Sequence, residues 1–214
     1  MSFQKIIDTA TAIEFDRRRI IAQSVSRSQR IKTAERAATQ PWTLTVSPRP
    51  RFAYSSNRDL IESITHLDRS EESEVNLANN PGLSYITAYQ GELSGAQLTA
   101  LTITNFTATS ITIGGLPTTS SSTVIFRAGD WIQPATSRYP YTITEDVERG
   151  TGSVITATVH RPLITSEITT ITGSVLVGNS CSLRVVALQI PSYSLVQRDQ
   201  FQFNDNFKFV EKII

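Results

Sequence analysis

The sequence is poor in the residues that usually carry chemistry: one cysteine, one methionine and two histidines occur among 214 residues. The single cysteine, Cys181, cannot form a disulfide within its own chain, so packing and partners must stabilise the fold. We interpret Cys181 as a structural buried thiol, because the sequence places no activating base beside it. With His66 and His160 as the two imidazoles and no G-x-S-x-G motif, hydrolysis by a nucleophile and base is disfavoured.

Long apolar runs and ligand motifs are also missing. No stretch reaches the roughly 18 apolar residues of a membrane-spanning helix, and the N-terminus lacks the apolar core of a secretory signal. The pair His66 and Asp68 has no third ligand at a recognisable spacing, and Gly114-Gly115 precedes Leu-Pro instead of a phosphate-binding helix. We therefore expect no membrane partner, no metal and no cofactor, and we expect that the protein is not an enzyme.

Serine and threonine are abundant, with 24 and 27 residues respectively. Threonine in this quantity favours strands, and turn residues such as Asn80-Pro81-Gly82 and Gly150-Thr151-Gly152 separate the alternating segments. We predict a mainly β fold, an antiparallel β-barrel or sandwich with one short α-helix, and room for a second small β-sandwich. The predicted strands of the body are Leu83–Gln90, Gln97–Asn105, Ser110–Ile113, Thr123–Ala128, Tyr141–Glu145, Ser153–His160, Glu167–Val177 and Ser182–Ile190.

The N-terminal region contains two segments with different patterns. Ile13–Arg36 alternates in short runs, which favours two strands joined near Ser26–Gln29, although its Ala, Glu and Arg content leaves a helix open. After Pro41, the residues Trp42, Leu44 and Val46 share one face of a predicted strand.

The apolar period changes to that of a helix over residues 57–67, where Leu60, Ile61, Ile64 and Leu67 form one stripe. The C-terminus alternates Phe201, Phe203, Phe207 and Phe209, which predicts a closing hairpin or edge strand. We place residues 1–80 and 183–214 in a split-barrel-like domain that carries the helix, and residues 81–182 in an antiparallel β-sandwich or barrel domain.

Two groups of charged residues could form either a functional site or ordinary solvent-exposed surface. Glu145, Asp146 and Glu148 could supply the carboxylates of a glycosidase, but alternating acids at a strand end are typical of solvated surface. The arginines of the N-terminal segment have acidic neighbours and no interleaved aromatics, so we expect no specific nucleic-acid partner. We predict instead an assembly interface, because arginine is enriched at protein contacts. Its members are Arg17, Arg18, Arg19, Arg27 and Arg30.

Several segments together resemble tail and baseplate proteins of tailed bacteriophages. Pro41–Val46, followed by Arg58–Glu62 and Leu67–Arg69, is similar to their entry strand and short helix. Phe126–Gln133, then Tyr139–Val147 and Thr158–Pro162, resembles their pattern of an apolar strand, a Gly-Asp turn, an aromatic restart and a hairpin that ends in Arg-Pro. In this pattern Gly129, Asp130 and Trp131 form an architectural turn, in which Gly129 permits the bend and Asp130 bonds the backbone.

The resemblance implies a virion protein of the distal-tail or baseplate-hub type. Its expected partners are further copies of itself in a ring, expected to be a hexamer, and the tail tube and baseplate hub or wedge proteins. Its expected place is the virion tail or baseplate, after assembly in the host cytoplasm. Two alternatives stay open: a host-glycan-binding sandwich, with Trp131, Tyr139 and Tyr141 as stacking residues, and a neck or tail-terminator adaptor.

Overall fold

A computed structural model describes residues 2–17, 21–25, 31–35, 41–66, 72–165 and 172–213. Within these ranges the chain is mainly β, and every named strand pair is antiparallel. The predicted fold class is confirmed.

Three α-helices accompany the strands within the described ranges: α1 (Ser2–Asp8), α2 (Arg58–His66) and α3 (Gly95–Thr99). Helix α2 confirms the helix predicted over residues 57–67, and its Leu60, Ile61 and Ile64 are buried. Helix α1 was not predicted. It buries Phe3, whose ring centroid lies 4.9 Å from that of Phe209, so the helix is held by the C-terminal strand.

The first sheet combines both ends of the chain. Its strands are β1 (Ala12–Asp16), β4 (Thr43–Ser47), β6 (Ser73–Val75), β15 (Leu183–Gln189) and β18 (Phe207–Glu211), in the order β1-β4-β18-β15-β6. Strand β4 buries Leu44 and Val46, and the preceding Trp42 is buried with them, which confirms the predicted apolar face. This face and α1 enclose the first of two buried clusters.

The second sheet curls over the other cluster. Its strands are β7 (Thr102–Phe106), β8 (Ser110–Gly114), β10 (Trp131–Pro134), β11 (Tyr141–Thr142), β13 (Ile155–Thr158) and β14 (Gly173–Val177), in the order β11-β10-β14-β7-β8-β13. A bridge between Ile143 and Val159 draws its two ends together, so the sheet is a curled half-barrel. The strands β9 (Val124–Phe126) and β12 (Val147–Glu148) form a separate pair.

Two smaller sheets complete the described fold. The strands β5 (Phe52–Ala53), β16 (Tyr193–Val196) and β17 (Gln200–Phe203) are arranged in the order β16-β17-β5. The strands β2 (Ile21–Val25) and β3 (Ile31–Glu35) form a two-stranded sheet. The two N-terminal strands are thus confirmed, and the helix left open for this segment is wrong where the structure describes it.

Two predicted strands are wrong in whole or in part. Leu83–Gln90 contains a 3₁₀ turn at Ser84–Ile86, because the Asn80 side chain accepts the backbone N–H groups of Gly82 and Leu83, each at 3.0 Å, and bends the chain. In Gln97–Asn105 the first residues belong to α3, which begins with a Ser94–Gln97 capping box.

The remaining body strands are confirmed: β8 (Ser110–Gly114) is one residue longer than predicted, and the others have shorter bounds. Only two residues of Tyr141–Glu145, Tyr141 and Thr142, form the strand β11, and residues 167–171 of Glu167–Val177 lie outside the described ranges.

The prediction of a C-terminal closing hairpin or edge strand is also wrong. Strand β18 lies between β4 and β15, inside the first sheet, and β17 pairs with β16 and β5 instead of with β18. Phe207 and Phe209 are both buried on the apolar face of this sheet, and backbone pairing with β4 on one side and β15 on the other holds β18 in its interior.

The two buried clusters meet at β10. Trp131 packs in the first cluster and the next residue, Ile132, packs in the second, because successive side chains of a strand point to opposite faces. Trp131 and Cys181 therefore share the core of the terminal segments, although both fall within residues 81–182. The proposed domain boundaries stay a prediction.

Candidate functional site

The Gly129-Asp130-Trp131 turn joins the two buried clusters. Gly129 has a φ of +98°, a conformation that favours glycine. The buried Asp130 accepts hydrogen bonds from the backbone N–H groups of Gln90 and Arg127, both at 2.8 Å. Burial raises the pKa of Asp130. The carboxylate thus fixes two separate loops at the start of β10.

A buried ion pair connects the two sheets beside this turn. Arg161, just after β13, donates to both carboxylate oxygens of Glu211 in β18, at 2.5 and 2.7 Å. The side chains are 4% and 0% exposed. Arg161 also donates to the carbonyl of Pro140 at 3.0 Å, and Glu211 accepts the backbone N–H of Trp42 at 3.1 Å. This bidentate pair fastens the C-terminal strand to the curled sheet.

His160 lies next to the ion pair. Its Nε2 is 3.0 Å from Trp42 Nε1, and its Nδ1 is 3.0 Å from the backbone nitrogen of Thr142. Both approaching groups are N–H donors, whereas a neutral imidazole offers one acceptor nitrogen. Burial lowers the pKa of His160 to about 3, and the charges of Arg161 and Arg17 act in the same direction. His160 is therefore neutral in the folded protein near pH 7.

This lowered pKa predicts a loss of stability in mild acid. In the unfolded chain the imidazole binds a proton below its usual pKa of 6.5, whereas in the fold it does so near 3. The stabilisation is complete above pH 6.5 and declines as the pH falls towards 3. Between pH 7 and pH 5 the free energy of unfolding should fall by about 2 kcal/mol. Urea titrations at pH 7 and at pH 5 measure this difference in the free energy of unfolding.

The control for this pH effect is His160→Gln, which keeps polar atoms at the position but does not titrate. Every other titratable group is common to the two proteins, so the difference between their pH dependences isolates His160. An unchanged pH dependence in the variant contradicts the assignment.

Arg17 directly follows β1. Its Nη1 donates to Thr142 Oγ1 at 2.8 Å, and its guanidinium lies 5.8 Å from the centre of the Trp42 ring. Arg17 is thus engaged with its own chain, beside an open cleft of about 280 Å³ that Phe15 and Trp131 help to line. Arg18, Arg19, Arg27 and Arg30 lie outside the described residues, and their role at an interface stays a prediction.

The aromatic residues considered for glycan stacking are inside the protein. Trp131, Tyr139 and Tyr141 are 5%, 1% and 1% exposed. The hydroxyl of Tyr141 accepts the backbone N–H of Ile164 at 2.9 Å. A stacking platform needs an open ring face, so the three predicted residues cannot form one in this fold.

The other candidate groups are structural or solvated. Cys181 is buried, as predicted, and burial raises the pKa of its thiol, so it is protonated at neutral pH.

Glu145, Asp146 and Glu148 are exposed. Asp146 accepts the backbone N–H of Ala128 at 2.8 Å. In the part of the chain that the structure describes, no group of three or more His, Cys, Asp or Glu side chains could hold a metal ion.

A polar depression of about 320 Å³ lies between the two sheets, lined by residues that include Glu74, Gln133 and Arg184. Its charged groups already have partners: Glu74 accepts from Ser182 Oγ at 2.6 Å, and Arg184 pairs with Glu72 at 2.8 Å.

No helix among the described residues is long and apolar enough to cross a membrane.

An exposed apolar strand is the surface feature that the sequence analysis missed. In β16, Tyr193 and Leu195 are 43% and 67% exposed. Among the described strands, β16 pairs with β17 alone, so its other edge is free. The sequence could have indicated this surface, because the segment Ile190–Gln197 contains no charged residue.

Comparison with known proteins does not identify the chain. Its sequence matches no protein-family model and no curated protein. The functional argument therefore depends on the surfaces described above.

Proposed function

We propose that the chain is a structural subunit that assembles into a ring in a bacteriophage tail or baseplate, where the ring joins the tail tube to the baseplate. The work of such a subunit is done by interfaces between copies and neighbours, and no bond is made or broken. We expect the ring to be a hexamer, and we expect it to contact the tail tube and the baseplate hub or wedge proteins.

One observation carries the proposal: β2 and β3 pair only with each other among the described strands. A two-stranded hairpin by itself is at best marginally stable in water. It gains stability from a third strand or a packed surface, and the described strands of its own chain provide no third strand. A hairpin of this kind is suited to insertion into a neighbouring subunit.

The charge of the segment supports the same conclusion. Residues 17–36 contain six arginines and one lysine against the single acid Glu35. Such an excess of one sign favours contact with a surface of the opposite sign and discourages folding back on like charge. The chain after Arg69 carries 8 basic and 12 acidic residues, which gives a neighbouring copy the complementary charge.

Removing the hairpin tests the proposal without disturbing the core. Asp16 and Thr43 are register partners in the β1–β4 pair, so Arg17 and Trp42, the chain ends left by deletion of residues 18–41, are adjacent. An Asn-Gly turn can join them, because this dipeptide suits a two-residue hairpin connection. We expect the shortened protein to unfold cooperatively and to remain monomeric in sedimentation velocity, whereas the full chain should form rings.

The matched control replaces Thr118–Thr123, a largely exposed loop, by glycine and serine. This variant should assemble like the full chain. If the hairpin deletion assembles as well as the control does, the hairpin is not the assembly element and the proposal loses its support.

A further inference from the structure

The free edge of β16 has the properties of a strand-pairing site. Its unpaired backbone N–H and C=O groups run along residues 193–196, and the segment Ile190–Gln197 carries no charge. Exposed edges in natural proteins are commonly blocked by lysine, by inward-pointing charge or by a bulge. Pro191, a residue that also blocks strand pairing, lies two residues before β16, but residues 193–196 contain no charge and no proline and pair with β17 without a bulge, so this edge is open to another strand.

The apolar face of this small sheet also extends beyond the core that covers it. Leu195 is the register partner of Phe201, and Phe201 is the partner of Phe52, so the three side chains share one face. Phe52 and Phe201 are buried, at 5% and 0% exposure, whereas Leu195 is 67% exposed. The Tyr193 ring lies 6.0 Å from that of Phe201. The row of apolar side chains thus continues past the core onto an uncovered strand.

We infer that the free edge of β16 receives the β2–β3 hairpin of a second copy of this chain. Among the strands that the structure describes, none extends the hairpin and none covers this edge, so pairing of the two would satisfy both. The hairpin strands are five residues long and β16 is four, so the ladders can overlap fully. The inference rests on the proposed function and names the contact that would close the ring.

Charge and symmetry agree with this contact. Residues 192–206 contain Asp199 and Asp205 against the single base Arg198, opposite in sign to the basic hairpin segment. One donor hairpin and one acceptor edge on each copy make a head-to-tail contact, and repeated head-to-tail contacts close into a ring when the rotation permits. Pairing of one β16 edge with another would instead give a twofold dimer.

Cysteine cross-linking of the full chain distinguishes these arrangements. Ser194 lies within the receiving strand, and Ser24 and Lys32 are register partners on the two hairpin strands. We expect one of two double variants to give a ladder of disulfide-linked multimers on mild oxidation: Ser194→Cys with Ser24→Cys if β2 pairs with β16, or Ser194→Cys with Lys32→Cys if β3 does. Each single variant should give no ladder, and the native Cys181 is buried and does not interfere. Dimers from Ser194→Cys alone would overturn the inference in favour of edge-to-edge pairing.

A charge on the edge provides the second test. Leu195→Lys replaces a side chain that is already 67% exposed by a charged one that water can solvate, so the protein should keep its Tm. The concentration needed for half-assembly should rise about tenfold or more. Val154→Lys, at a position 45% exposed outside this sheet, is the matched control and should assemble normally.

Failure of the inference differs from failure of the proposed function. If the full chain assembles, yet Leu195→Lys assembles equally well and no double-cysteine ladder forms, the contact is elsewhere and only this inference is wrong. If the full chain stays monomeric at every concentration, both the contact and the proposed ring are wrong.

Discussion

Replacing Glu211 by glutamine should lower the free energy of unfolding by about 3–5 kcal/mol. The substitution keeps the size of the side chain but leaves the Arg161 guanidinium, which is 4% exposed, without its counter-charge. A buried charge that loses its partner retains the penalty of leaving water and gives up the attraction that offset it. Urea denaturation of Glu211→Gln, with the native chain in parallel, measures the loss.

The control for this prediction removes both charges together. Arg161→Met combined with Glu211→Leu fills similar space with apolar atoms and should recover most of the lost stability, because no unpaired charge remains. Glu145→Gln alters an exposed carboxylate and should change stability by less than about 0.5 kcal/mol. A Glu211→Gln protein within about 1 kcal/mol of the native chain would show that the pair does not fasten the two sheets.

Truncation of Trp42 to alanine should have an effect of similar size, a loss of about 3–5 kcal/mol. Trp42 is 1% exposed, and its ring centroid lies 4.5 Å from that of Trp131 and 6.1 Å from that of Phe15. Removal of the ring leaves a cavity where the two buried clusters meet. Calorimetry and near-ultraviolet circular dichroism should report a lower Tm and a reduced aromatic signal.

The graded control is Trp42→Phe, which keeps an aromatic ring but removes the N–H that faces His160. Its stability should lie between those of Trp42→Ala and the native chain. Leu195→Ala removes a side chain that is 67% exposed and should have little effect on the Tm. Equal losses for the alanine and phenylalanine variants would assign the effect to the hydrogen bond instead of to packing.

The features of the fold that depend on local pattern could be predicted from the sequence. Trp42, Leu44 and Val46 alternate because one face of β4 is buried, and Leu60, Ile61 and Ile64 recur at the helical period because α2 packs by one stripe. The two N-terminal strands were predicted for the same reason. In each case the periodicity is contained within a few consecutive residues.

Features that depend on contacts between distant residues could not be predicted in this way. Helix α1 is seven residues long, too short to display a period, and its stability comes from packing of Phe3 against Phe209. In the sequence, Arg161 belongs to the Arg-Pro that ends a predicted hairpin, and Glu211 follows the alternating phenylalanines of the C-terminus. A single sequence contains nothing that pairs them, although together they form the buried ion pair.

Errors in the predicted body strands had a local cause that was overlooked. The side chain of Asn80 caps the turn that replaces the first residues of the Leu83–Gln90 strand, and Ser94 with Gln97 starts α3. Both are side-chain to backbone bonds that compete with a strand ladder. β-Branched alternation alone therefore overestimated the strand content of residues 83–101.

Ring assembly is tested most directly by the mass of the purified full chain in solution, measured by multi-angle light scattering across a range of concentrations and salt, together with negative-stain electron microscopy of the largest species. The account predicts a discrete species of several copies, with a mass that is a multiple of 23.6 kDa and a ring-shaped image, and it expects six copies. A single species of 23.6 kDa at every concentration would contradict the account.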